Sequence, residues 1–203
     1  MKTVESAIIE QYPGLDKPGA GIPWYEEKFI SHIVVPLLPL VFNWESALLF
    51  LQKQIQEIVV LIEDLDEETM QKQVLVPRLF GLEDSSRFWS INMVVEHLVT
   101  VNLGTYEIVD QLNQEKSIPR ELGTAKVKPF HNKSYTKNLI FFDKAYARMI
   151  KKNTNKASKA RKNHPWFGAL NNYNWHSFIG LHNKLHKRQI QHILKILDTK
   201  NLS

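Results

Sequence analysis

The chain has 203 residues, 43% of them hydrophobic and 23% charged, which is the composition of a globular protein with enough apolar side chain for one sizeable core. It contains no cysteine, which excludes structural disulfides, zinc ribbons and a thiol nucleophile of its own, so that any thiol chemistry must bring in its sulfur. The formal net charge is +5, and Lys151 to Lys162 alone carries six basic residues without an acid.

Residues 1–42 read as an N-terminal arm. Met1 to Gln11 lacks the apolar core of a secretory signal, and the run Ile33 to Phe42 is about half a membrane span and carries Pro36 and Pro39. These features predict a cytoplasmic protein without a membrane partner. Residues 11–39 hold five of the nine prolines and three of the eight glycines, which predicts that regular structure does not persist there. The apolar content of the arm, Trp24, Tyr25, Phe29, Ile30 and the proline-broken run, predicts packing on the rest of the chain; capping of a pocket or of a dimer partner is the functional alternative.

Residues 43–203 read as one helical bundle. Asn43 is a good N-cap for a first helix with the inner stripe Trp44, Leu48, Leu51, Ile55, Ile58, Val59 and Ile62. Five acids in Glu63 to Glu68 mark its solvated end, and Gln73 to Phe80 is a candidate extended piece. Ser90 caps a second helix that runs to about Gln114, and Glu115 to Lys133 is too long a connection for antiparallel neighbours. It has the reach to return the chain along the bundle, which leaves room for the third helix, about Ser134 to Lys152, to run parallel to the second. Leu139, Phe142, Tyr146 and Met149 form the buried line of this third helix, with Asp143 and Lys144 outward. The basic segment that follows reads as a solvated loop; nucleic acid is not expected as a partner, because no recognised binding motif accompanies the charge.

The fourth helix, about Asn171 to Leu197, carries His182 and His186. Four residues on a helix place two imidazoles about 40° apart around the axis and about 6 Å apart along it, within reach of one metal ion. Trp175, Phe178, Leu185, Gln189 and Ile193 continue the same stripe, so both rings look inward. Inward ring nitrogens need partners, and either a shared divalent cation or hydrogen bonds from neighbouring core groups would satisfy them. His97, on the inward run Val94, His97, Val101, Gly104 and Ile108, is the candidate third ligand. Gln189, one turn from His186, is placed to orient a ligand. Glu96 is turned about 100° from His97, toward a surface or second-helix contact. His176 and His192 fall off the stripe and His164 precedes Pro165, which marks all three as structural.

The order Trp89 to His97, His164-Pro165-Trp166-Phe167-Gly168, Trp175, then His182-x-x-x-His186-x-x-Gln189 resembles the DinB/YfiT-like superfamily of small four-helix metalloproteins, over roughly residues 43 to 197. The resemblance implies an all-α, up-down-down-up four-helix bundle with the long crossover between helices 2 and 3, preceded here by some forty residues that the family usually lacks. It further implies one divalent metal on His97, His182 and His186, and a low-molecular-weight-thiol transferase or metal-dependent hydrolase acting on a small molecule. The alternative is a non-catalytic stress-response or binding protein stabilised by the metal. Imidazole ligands leave zinc, nickel, iron and manganese open. A homodimer would cover apolar surface left by the arm and the bundle.

Overall fold

A computed structural model describes residues 14–119, 123–153 and 156–201. Two short helices, α1 (Trp24–Phe29) and α2 (Val35–Val41), are joined by a π turn over Ile30–Val34. The bundle helices are α3 (Trp44–Ile62), α5 (Ile91–Asn113), α6 (Thr136–Lys152) and α7 (Asn172–Asn201), with a one-turn helix α4 (Glu67–Gln71) after the first. Two small antiparallel ladders complete the fold: β1 (Val74–Leu75) with β2 (Phe88–Trp89), and β3 (Lys162–His164) with β4 (Gly168–Leu170). The protein is therefore an all-α four-helix bundle with minor strand pairs.

Local chemistry sets the helix starts. Asn43 accepts from the Ser46 amide while Ser46 Oγ accepts from the Asn43 amide, a reciprocal capping box, and Ser90 accepts from the Met93 amide. Residue pairs along the helices give the topology. Trp44 Nε1 donates to the Ile150 carbonyl, joining the start of α3 to the end of α6, so these two run antiparallel. Asn102 meets Asn183 and Asn113 meets Asn172, which makes α5 and α7 antiparallel. Trp44 meets His176 and Glu57 meets Lys187, which makes α3 and α7 parallel. The order is up-down-down-up, and around the bundle α3, α7, α5 and α6 follow one another, with α6 and α7 at opposite corners. The axes of α3 and α7 come close because Gly180 has no side chain: a Cβ there would stand 2.6 Å from Phe50 Cδ1.

Three expectations need correction. The first concerns residues 11–39, where the backbone is helical from Trp24 to Val41 in spite of Pro36 and Pro39; residues 11–13 lie outside the described part. Pro23 stands ahead of the first turn, where no amide is needed, Pro36 falls in the first turn of α2 directly after the π turn, and Pro39 lies inside α2. The second is Asp143, which is half-buried rather than outward; burial raises its carboxyl above the usual range, opposed by a hydrogen bond from Gln52.

The third is the basic segment, of which residues 154–155 lie outside the described part. Its second half is ordered: Glu115 accepts the amides of Lys159 and Ala160, Asn172 accepts the Ser158 amide, and Lys162 is buried in β3 with Nζ donating to the Ile118 carbonyl. His176 is structural and off the stripe of His182 and His186, as expected, and it is fully buried. Helix α7 packs against α3 on one side and α5 on the other, so it has two buried stripes, and His176 belongs to the stripe facing α3.

Candidate metal centre

His97 lies in the second turn of α5, and His182 and His186 lie in the middle of α7, where the antiparallel pair brings the two helices into contact. One donor atom from each of the three rings lies within 4.8 Å of the other two. The Nε2 atoms of His97 and His182 are 3.3 Å apart. Two nitrogens bound at about 2.05 Å to one tetrahedral ion stand roughly 3.3 Å apart, so this separation suits a shared metal.

Hydrogen bonds fix which ring nitrogens carry lone pairs. The Val127 carbonyl can only accept, so His97 Nδ1, at 2.6 Å, donates to it and leaves the Nε2 lone pair toward the cluster. Gln189 Nε2 donates to the Ser86 carbonyl at 2.7 Å, which orients the amide. Its Oε1 therefore accepts from His186 Nδ1 at 2.8 Å, and His186 likewise keeps its lone pair on Nε2. His182 Nδ1 is buried and has no hydrogen-bond partner.

All three rings are held neutral. Burial is the main cause: it drives His97 and His182 well below the usual imidazole range and His186 down to about 4. The other rings of the cluster press the first two further down, and the hydrogen bonds that His97 and His186 donate to the Val127 carbonyl and the Gln189 side-chain oxygen oppose the shift. Neutral imidazoles with converging lone pairs are the state in which histidine binds a metal. The residues present thus fit a divalent ion.

A supporting layer surrounds the rings. Trp89 stacks on His186, its plane within 12°, and its ring is tilted against His97 beside it. Lys128 Nζ lies 5.3 Å over the Trp89 ring and donates to Glu83, Ser85 and Ser86. Glu83 in turn accepts the amides of Gly19 and Gly21, two glycines at φ of 86° and 90°, so the segment before α1 is tied to the same layer. Glu96 does not face the cluster: its carboxylate accepts the amides of Phe130 and His131 and the His131 ring. The crossover is thereby pinned just after Val127 and Lys128, and Val127 is held beside His97.

The sequence positions His97, His182 and His186 come together, and Gln189 makes the orienting bond expected of it. His176 stands apart, its Nδ1 on the Tyr146 hydroxyl and its Nε2 on the Trp44 carbonyl. His164 packs among Phe167, Trp175 and Phe178 and is pushed down to about 3 by burial. Sequence reading missed Val127, Ser86, Glu83 and Lys128. Two of these act through backbone carbonyls, which carry no residue signature, and Lys128 stood in a segment read only as a connection.

No protein-family profile matches the chain, and no curated protein matches it. Among solved structures, the crystal structure of TT2238, described as a four-helix bundle protein, is similar with a TM-score of 0.50 and 19% identity, covering 73% of this chain and 98% of that one. No single helix among the described residues is long and apolar enough to cross a membrane. The chain has the four-helix bundle fold and carries within it a three-histidine cluster able to hold a metal ion.

Proposed function

We propose that the chain is a divalent-metal protein of the DinB/YfiT-like type: a cytoplasmic enzyme that holds one ion on His97, His182 and His186 and acts on a small molecule, with a low-molecular-weight-thiol transferase ahead of a hydrolase. The observation that carries this reading is the convergence of three neutral imidazoles, two of which have their outer nitrogens committed to Val127 and Gln189. These three imidazoles would hold the ion, which would supply Lewis acidity toward a carbonyl or an incoming thiol. Val127 and Gln189 hold protons at the outer nitrogens and keep the lone pairs aimed inward. Because the chain has no cysteine, sulfur chemistry at this centre uses the substrate's sulfur.

One observation favours a second reading, a non-catalytic protein whose metal stabilises the bundle. The two buried carboxylates of the supporting layer, Glu83 and Glu96, are committed to lysine, amide and imidazole partners, so neither stands free as a general base. The experiment that separates the readings uses protein loaded in turn with zinc, nickel, iron(II) and manganese. Each form is mixed with glutathione or cysteine plus an electrophilic acceptor, and separately with an ester panel. Metal-dependent thiol consumption that is lost in His182→Ala supports the transferase, and metal-dependent ester turnover supports the hydrolase. Retained metal without either turnover supports the non-catalytic reading.

A further inference from the structure

The helix from Trp24 to Val41 turns an apolar face to solvent. Tyr25, Phe29, Ile33, Leu37 and Val41 follow at steps of four, flanked by Trp24 and Leu40, and all are between 46% and 80% exposed. In a plain α-helix steps of four drift around the axis; the π turn over Ile30–Val34, with its wider turn, keeps them on one side. The opposite side is spent on this chain's own core, through Ile30, Val35 and Leu38, and Glu26 fixes the start of the helix on Arg78 and the Gly81 amide. The exposed face is therefore presented by an anchored element.

Aromatic side chains carry roughly 150–250 Å² each, so these seven residues and the neighbouring Phe80 leave on the order of 800 Å² of apolar side chain uncovered. Monomeric proteins rarely leave patches above roughly 300–600 Å², and about 800 Å² is what one partner contributes to a standard interface. The face is also self-complementary in shape. It is aromatic at one end (Trp24, Tyr25, Phe29) and aliphatic at the other (Leu37, Leu40, Val41), with Ile33 midway. An antiparallel pairing about a two-fold axis at Ile33 sets each aromatic half on the partner's aliphatic half, whereas a parallel pairing crowds rings on rings.

We propose that this face is the two-fold interface of a homodimer. A lipid surface fits it less well. Residues 133–162 hold ten basic side chains and one acid, a charge of +9 that leaves −4 on the remainder of the chain. The exposed members of that group on α6, Lys137, Lys144, Arg148, Lys151 and Lys152, lie on the helix diagonally across the bundle from α7, against which α2 packs. The attraction to anionic lipid thus points away from the apolar face. The helix also bends by 108° into α3, so the two do not form one straight span.

Sedimentation of the full chain at tens of micromolar is expected to give twice the 23.7 kDa of the protomer. Ile33→Glu, which sets two like charges against each other on the axis, is expected to give monomers with unchanged helix content. The absence of cysteine makes a direct test clean: Ile33→Cys should form an intermolecular disulfide under mild oxidation, and Leu103→Cys, on the exposed side of α5, should not. A monomeric wild type, a dimer that survives Ile33→Glu, or an Ile33→Cys chain that does not cross-link overturns the proposal. A monomeric wild type that sediments with phosphatidylglycerol vesicles and loses them with Ile33→Glu overturns it in favour of a membrane surface.

Discussion

His186 and Gln189 are joined by a 2.8 Å hydrogen bond one turn apart on α7, and the same amide is fixed from behind by the Ser86 carbonyl. The pair is a hinge between the histidine cluster and the loop before β2. Gln189→Leu removes the acceptor for His186 Nδ1 and the donor for Ser86 while keeping the volume. Ligand-orienting groups of this kind are worth roughly ten- to a hundredfold in metal affinity. A chelator competition titration is expected to show a loss in that range with helix content preserved; unchanged affinity would remove Gln189 from the account.

Lys128, partly buried, and Glu83, buried, form an ion pair that joins the crossover, the loop of residues 83–86 and the glycine turn before α1. Breaking such a pair from one side leaves an uncompensated buried charge, at about 3–5 kcal/mol. Lys128→Met is therefore expected to lower the urea midpoint strongly and to expose residues 14–22 to limited proteolysis. Loss of stability without faster cleavage there would show that Glu83 does not hold the segment.

Much of this architecture is legible in the sequence, and the limits are physical. The caps Asn43 and Ser90, the apolar stripes and the length of the crossover give the bundle and its order, because each is a local signal with a helical period. The histidine cluster is legible because all three rings lie on such stripes. What escapes is what depends on distant backbone: the carbonyls of Val127 and Ser86, the second buried stripe of α7 that takes in His176, and the burial of Lys162. The arm misleads for another reason. Proline is scored as a breaker residue by residue, whereas here the helix runs through Pro36, just after the π turn, and through Pro39.

Lys162 separates a packed from a solvated lysine within one basic stretch. Its aliphatic stem is buried and its Nζ donates to the Ile118 carbonyl, whereas Lys156 and Lys159 are exposed. Lys162→Gln should cost about 1–3 kcal/mol, through the lost contact and an acceptor left unsatisfied. Lys156→Gln and Lys159→Gln should stay within about 0.5 kcal/mol of wild type by chemical denaturation. Equal effects at the three positions would contradict the ordered β3–β4 segment.

His176 predicts a pH dependence that needs no metal. Burial lowers its pKa from 6.5 to about 4, opposed by its bond to the Trp44 carbonyl, so the unfolded chain takes up the proton first as the medium becomes acid. The stability it contributes is complete above about pH 6.5 and is lost as the pH falls from there to about 4, amounting to about 3 kcal/mol. His164, lowered to about 3 by burial, acts in the same direction. Denaturation of metal-free protein between pH 7.5 and pH 4 should show this fall, with a shallower slope in His176→Gln. A slope unchanged by that substitution would place the acid sensitivity elsewhere.

Three histidines from two helices that share one divalent ion should be evident in the metal content of tag-free protein. About one divalent metal per chain is expected in the wild type after purification or reconstitution, with loss of most of it in each of His97→Ala, His182→Ala and His186→Ala. His192→Ala, outside the cluster, should keep its metal. Wild-type protein that takes up none of zinc, nickel, iron and manganese, or single alanine variants that bind as the wild type does, would contradict a shared ion.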